Sequence, residues 1–247
     1  VSDLGANTDG VFEPTVRAGV CQLFRRGTRW LSTGWDGGGS HGDAAYNVTV
    51  PEGWPETDLA AYVASRREDA DFDAPGPTLL TGVSQEHARR ARLGSVEAVA
   101  TAGVSNPAAL PVESLDGDEH TTDRTDATDD SRPPGTVNVV VGTTHALAPG
   151  ALPNLLTVAA EAKAATLLSV ADVPGTTTDA VVAACDPDGS LASFSGSATP
   201  VGRAARACVR DAVLASLASR YAERSVPTVA DAPYGVVTDV RATVTRL

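Results

Sequence analysis

Thr136-Val137-Asn138-Val139-Val140-Val141 is a run of β-formers and reads as a strand. The Pro149-Gly150 turn interrupts the chain, and the alanine-rich stretch from about Leu152 to Val170 then has the composition of a packed helix. A loop, Val173-Pro174-Gly175-Thr176-Thr177-Thr178-Asp179, leads into a second apolar strand, Ala180 to Cys185. This alternation of strands and helices, continued on both sides, places the chain in the α/β class, as one domain with a mixed β-sheet flanked by helices.

Toward the N-terminus, Val16 to Leu23 and Arg29 to Ser32 flank Arg25-Arg26-Gly27-Thr28 and read as a hairpin at a sheet edge. Thr33 to Asp43 is too rich in glycine for the interior of an element and reads as a loop. Pro55-Glu56-Thr57-Asp58 opens a helix through Arg67, Thr78 to Val83 is a buried strand, Ser84 caps a helix to about Leu93, and Ser95 to Ala102 is a strand. Glu113 to Pro134 holds eight acids and almost no apolar residue, so it cannot repay its ordering entropy by burial and reads as a mobile insertion. Thr199 to Arg224 is the longest helix, with Val201, Ala204, Ala205, Cys208, Val209, Ala212, Val213, Ser216 and Leu217 along one face. No repeat or domain boundary interrupts the 247 residues.

The net charge of −12 argues against general affinity for nucleic acid or an anionic membrane. The basic residues are eighteen Arg and one Lys, Lys163, against twenty-one Asp and ten Glu, a profile that resembles proteins of salt-loving archaea. In molar salt the Debye length shrinks to roughly 3 Å, so an acidic surface no longer repels itself. No apolar run approaches the ~20 residues of a membrane span, and Val1 to Gly5 carry no basic region before an apolar stretch. The expected location is the cytoplasm. Cys21, Cys185 and Cys208 lie far apart and read as small buried residues, and neither they nor His41, His87, His120 and His145 form a metal-binding spacing.

Four segments can carry chemistry. Asp36-Gly37-Gly38-Gly39 lets backbone N–H groups approach a ligand, although a plain flexible loop has the same composition. Thr101-Ala102-Gly103-Val104-Ser105-Asn106-Pro107 ends a strand, where Ser105 can be a nucleophile and Asn106 can bind an oxyanion; an Asn-Pro turn reads the same way. In Glu161-Ala162-Lys163 the two charges point about 200° apart on a helix, so Glu161 as general base and Lys163 as ligand contact cannot both face one site. Gly175-Thr176-Thr177-Thr178-Asp179 joins hydroxyls to a carboxylate, offering Thr178 and Asp179 for proton transfer, or an ordinary Ser/Thr turn. Trp35, Tyr46 and Trp54 are scarce aromatics near the glycines that either stack on a ligand or anchor the loop.

Taken in order, Leu31-Ser32-Thr33 with its glycine loop, Ala100 to Asn106, Gly135-Thr136-Val137-Asn138-Val139, Glu161-Ala162-Lys163-Ala164, Gly175 to Asp179 and Ser195 to Gly202 resemble the adenosylcobinamide amidohydrolase (CbiZ) family. The family's glycine loop reads Asn-Gly-Gly where this chain has Asp36-Gly37-Gly38. The resemblance implies hydrolysis of the amide joining aminopropanol to a corrin propionate, giving adenosylcobyric acid and 1-amino-2-propanol. It implies a corrinoid as small-molecule partner, no metal site or cofactor of the protein's own, and cobalt carried by the substrate. The residues it points to for catalysis are Glu161, Asp179, Asn106, Thr178 and Ser105. Those for substrate binding are Asp36, Gly37, Gly38, Gly39, Thr101, Asn138, Lys163 and Thr176. A corrinoid carrier without catalysis, and an amidohydrolase with a Ser or Thr nucleophile, stand as the alternatives.

Overall fold

The computed structural model describes residues 10–51, 58–112, 135–229, 232 and 235–246. Among these the strands are β1 (Glu13–Arg17), β2 (Val20–Ser32), β3 (Gly38–Thr49), β4 (Thr78–Thr81), β5 (Arg89–Leu93), β6 (Val96–Ala102), β7 (Ala108–Ala109), β8 (Val137–Thr143), β9 (Ala146–Leu147), β10 (Ala180–Cys185), β11 (Leu191–Ala192) and β12 (Val236–Val237). The helices are α1 (Leu59–Asp69), α2 (Ala151–Ala171) and α3 (Pro200–Arg220). One mixed sheet runs β4-β3-β2-β10-β8-β6-β5, with β1 added against β2. The expected α/β class and the mixed sheet with flanking helices are what the chain forms.

The sheet is open but strongly curled. Asn47 on β3 donates through Nδ2 to Thr101 Oγ1 on β6 (2.9 Å), and Asn138 on β8 donates to the Leu80 carbonyl on β4 (2.9 Å). These strands are not neighbours in the ladder, so the twist common to sheets must bring one end over the other. Phe12, Leu23, Trp30, Leu79, Val140 and Val182 fill the inside of the curl, with Phe12 and Trp30 stacked at 5.7 Å. Alternate residues of β6, β8 and β10 face the other way, against α2 and α3, and form the largest core. The predicted face of α3 is buried throughout, and the three cysteines are buried and unpaired. Thr199 caps α3 by accepting from Gly202 N–H (3.0 Å), with Pro200 in the first turn.

Several expectations give way. The first hairpin turns at Ala18-Gly19, both at positive φ, and Arg25 to Thr28 is a bulge inside β2, where the register to β3 shifts between Phe24 and Thr28. Nor is β2 an edge, since it pairs with β1, β3 and β10. Gly38 and Gly39 begin a strand instead of continuing a loop, because the ladder opposite Ser32 and Leu31 satisfies their backbone. Ser84 caps only the short 3₁₀ turn Gln85–His87; Arg89 to Leu93 is a strand that turns at Gly94 (φ +57°) back into β6. That strand places Arg90 over the fully buried Glu97, whose carboxylate accepts from Arg90 (2.8 Å) and from Val11 N–H (2.9 Å). α2 and α3 are each 21 residues, so α3 is not the longest. α1 begins after the Asp58 cap; Pro55 to Thr57, Trp54, His120 and the acidic stretch 113–134 lie outside the described residues.

The bulge aims Arg25 across the sheet at Asp186, just past β10, and at the Val11 carbonyl (3.2 Å). Burial pushes the Asp186 carboxyl up, but hydrogen bonds from Arg25 and from Asp188 N–H, with the Arg25 charge, outweigh it and hold the group below the usual aspartate range. A carboxyl depressed on folding contributes stability above its unfolded pKa of about 3.9, which is lost as pH falls through the folded value. Asp186→Asn should lower stability by about 1 kcal/mol at pH 7, and the difference from wild type should close at pH 2 to 3. Thermal melts at both pH values check this.

Candidate active site

The three segments after β6, before β8 and before β10 meet at one end of the sheet, because β6 runs antiparallel to β8 and β8 parallel to β10. Asp179 sits at their junction. Its Oδ1 accepts from Val137 N–H (2.8 Å) and from the Thr176 hydroxyl; its Oδ2 accepts from Thr176 N–H (3.0 Å) and from the Lys163 ammonium. Four donors fill the lone-pair directions of a carboxylate. The Lys163–Asp179 pair is nearly closed to solvent, with side-chain exposures of 10% and 9%. Gly175 lies on top of it: a Cβ there would stand 2.7 Å from Asp179 Oδ2 and 3.0 Å from Lys163 Nζ.

Hydroxyls and amides surround the pair. Thr178 Oγ1 meets Thr136 Oγ1 (2.8 Å), and Asn106 Nδ2 donates to Thr177 Oγ1 (2.5 Å). Main-chain bonds from Thr177 N–H to Asn106 (3.1 Å) and from Ala108 N–H to Gly175 (2.9 Å) lock the two turns together. Three buried polar atoms here have no partner among the described residues: Ser105 Oγ, Asn106 Oδ1 and Asn138 Oδ1. Unmet polar atoms in a buried setting cost free energy unless a ligand or water meets them, and functional sites are where such a cost is tolerated.

The structure thus gathers Asp179, Lys163, Thr176, Thr178, Asn106 and Ser105, with Asn138 and Thr101 deeper in the curl. Glu161 is not among them. It projects from the opposite side of α2, exposed, 3.6 Å from Arg206, as the helical offset from Lys163 requires. Asp36 and Gly37 to Gly39 line a different space, a cleft of about 360 Å³ bounded by Trp35, α1 and Pro75 to Thr78. Asp36 is at φ +48°, a conformation that Asn and Asp share, so the exchange of Asn for Asp in the glycine loop preserves a backbone role. In an antiparallel ladder alternate amides face the partner strand, so Gly38 and Gly39 offer outward only part of their donors. Tyr46 is wholly buried, with its hydroxyl donating to the Ala74 carbonyl (2.6 Å), and anchors α1 instead of meeting a ligand.

Sequence reasoning passed over Asn47, and it quoted Thr136 and Thr177 within their motifs without giving either a role. Asn47 accepts from Asn138 Nδ2 (2.9 Å) as well as donating to Thr101, so these three side chains form one network inside the curl. The signal for Asn47 was an amide inside the apolar run Ala44 to Val48, where an unpaired polar group would be costly. Burial pushes the thiols of Cys21 and Cys208 up to about 11, which leaves them protonated and poor nucleophiles at neutral pH. Among the described residues no three His, Cys, Asp or Glu side chains converge to hold a metal ion.

Two comparisons bear on the chain. The family model described as adenosylcobinamide amidohydrolase matches residues 7–225. A curated protein of Halobacterium salinarum, named adenosylcobinamide amidohydrolase, is 55% identical over 239 residues, which is 96% of this chain and all of that protein.

Removing one partner of the buried pair leaves the other as an uncompensated charge. Lys163→Met should cost about 3–5 kcal/mol of stability. Combining it with Asp179→Asn should cost less than the two separate losses together. Denaturant unfolding of the two single variants and the double variant measures the coupling.

Proposed function

The chain belongs to the adenosylcobinamide amidohydrolase family, and on that premise we propose that it hydrolyses the amide joining aminopropanol to a corrin propionate, in corrinoid salvage. The observation that carries the site assignment is the buried Lys163–Asp179 pair beneath the Thr176 to Thr178 turn, beside Ser105 and Asn106 atoms that have no partner among the described residues. Of the two carboxylates that the sequence offers, this geometry supports Asp179 over Glu161.

Amide hydrolysis needs a base for the attacking water, donors for the tetrahedral oxyanion and an acid for the leaving amine. Because four donors already occupy Asp179, it reaches reacting atoms only through the Thr176 hydroxyl, whose proton it holds. In our reading, water attacks the carbonyl carbon from Thr176. Its proton passes to Thr176 while the Thr176 proton moves to Asp179, and Lys163 balances the charge. The C–N bond then breaks, and the same relay run backward protonates the departing amine. Asn106 keeps a second N–H beyond the one given to Thr177, and this donor serves the oxyanion. Ser105 and Thr178 touch no carboxylate among the described residues, which supports binding roles for them over attack.

Hydrolysis of this kind calls for no resident cofactor, and cobalt arrives within the substrate. No helix among the described residues is long and apolar enough to cross a membrane, and we place the reaction in the cytoplasm.

The test is to incubate the protein with adenosylcobinamide in about 2 M KCl, where surface charges are screened within a few ångströms, and to resolve the corrinoids chromatographically. Adenosylcobyric acid and free aminopropanol should appear. Asp179→Asn and Thr176→Val should each lower kcat/KM by roughly 10²-fold or more, Thr176→Ser should recover most of it, and Glu161→Gln should stay within about twofold. Persistence of substrate with folded, corrinoid-binding protein would favour the carrier alternative. Collapse in Glu161→Gln alone would overturn the site.

A further inference from the structure

The segment from Asn106 to Ala109 is held by hydrogen bonds on two sides, and one of the two is the active-site turn. There the Asn106 carbonyl accepts from Thr177 N–H (3.1 Å), Pro107 bridges Thr176, and Ala108 N–H donates to the Gly175 carbonyl (2.9 Å). On the other side β12 lies parallel to β7, with Val236 opposite Ala108 and Val237 opposite Ala109. Val236 N–H donates to the Pro107 carbonyl (2.9 Å) and Thr238 N–H to the Ala109 carbonyl (3.0 Å). The order across the junction is therefore the Gly175 to Thr177 turn, then Pro107 to Ala109, then β12.

The residues where the two backbones meet are suited to that contact. Gly235 sits at φ +140°, which residues with side chains rarely adopt, and a Cβ there would stand 2.5 Å from the Pro107 carbonyl oxygen and 3.1 Å from its ring. Pro107 offers a carbonyl but no N–H, and it restricts Asn106 before it to extended backbone. In extended backbone successive carbonyls point to opposite sides. Thr177 takes the Asn106 carbonyl and Val236 takes the next one, so β12 acts on the peptide unit adjoining Asn106. Val236 is 52% exposed, and neither it nor Val237 belongs to the apolar core, so β12 adds little to the burial that holds the fold together.

We propose that β12 is a positioning strap for the reaction: by holding Pro107 to Ala109 from the side away from the turn, it fixes Asn106 against Thr177. The proposal rests on the function put forward above, in which Asn106 supplies the oxyanion donor. Such a donor is effective only when it already stands where the charge develops, and a misplacement on the order of 1 Å costs about 10²-fold in rate. The spare N–H of Asn106 belongs to the same amide that donates to Thr177 Oγ1 (2.5 Å), so a shift of the 106 to 109 backbone moves that donor. Loss of the strap therefore falls on the chemical step and leaves folding and substrate affinity in place.

The experiment measures kcat and KM for adenosylcobinamide, thermal melts, and amide hydrogen exchange by mass spectrometry, on full-length variants in about 2 M KCl. Val236→Pro removes the donor to Pro107, and Gly235→Val puts a side chain where the backbones meet. Each should lower kcat about tenfold or more with KM within about twofold, keep the melting midpoint within about 4 °C of wild type, and speed exchange in peptides that cover Asn106 to Ala109. Val236→Ala, which keeps the N–H, and Val240→Pro, farther along the exposed tail, should stay within about twofold of wild type. Asn106→Ala alone should lower kcat about 10²-fold, and adding Val236→Pro to it should cost no more than about a further twofold, because the group that the strap positions is gone. Unchanged kcat in Val236→Pro, or the same fold loss with and without Asn106, would overturn the strap while leaving the hydrolase reading intact. If wild type hydrolyses nothing, the hydrolase reading fails by itself and exchange decides: acceleration around Asn106 in Val236→Pro keeps the strap as a positioning element, and unchanged exchange overturns it.

Discussion

The Asp179 carboxylate is the point at which the fold and the site become one structure. Its donors come from the start of β8, from the turn before β10 and from the middle of α2. A single anion therefore fixes the spacing of two parallel strands and the helix packed on them. Burying it would be costly with any donor missing, since an unpaired charge in a low-dielectric setting is strongly disfavoured. With all four present it is rigid, and it confers that rigidity on Thr176. The turn is then held again through Asn106 and Ala108, which tie the end of β6 to the same junction. A reacting geometry built this way rests on strand ends and not on a free loop.

The curl of the sheet makes a second contribution. By folding β3 and β4 over β6 and β8 it buries Asn47, Asn138 and Thr101 together, and their mutual hydrogen bonds fix the register of strands that do not otherwise touch. A slip of one residue would turn these amides to the opposite face and strand them among apolar side chains. The network is thus a register device inside the curl. Asn138 Oδ1 is the one atom of this network without a partner among the described residues.

How much of this was legible depended on the range of the interaction. The unit from Thr136 to Cys185 was readable because its strands are continuous apolar runs and its helix is alanine-rich, and β10 begins and ends where its composition changes. Ser84 and Thr199 both cap, as their chemistry suggests, but only Thr199 starts a long helix. After Ser84 the alternation of Arg89 to Leu93 and the burial of Glu97 favour a strand, and tertiary pairing overrides the local helix signal. The Ala18-Gly19 turn was missed because alanine seldom takes positive φ, and Gly27 drew the turn to a bulge. In the site, Thr176 to Asp179 and Asn106 were visible as motifs. Their assembly was not, because it depends on contacts such as Asp179 to Val137, 42 residues apart. The helical offset already kept Glu161 and Lys163 from sharing a site, but which of the two faces it depends on how α2 packs, and that was not legible.

The lone lysine shows how solvent and site divide the sequence between them. Eighteen of the nineteen basic residues are Arg, yet residue 163 is Lys. The space explains the exception: Nζ lies beneath Gly175, 3.0 Å from where a Cβ would be, and beside a carboxylate that already has three other donors. A compact ammonium fits there on a flexible stem, whereas a planar guanidinium would need to place five donors in a pocket with one acceptor site left. Surface positions, free of that constraint, carry the acidic, arginine-rich composition of the rest of the chain. The residue that departs from the chain's own composition is the one whose environment is set by the interior, and it is the one bonded to the carboxylate on which the site is built.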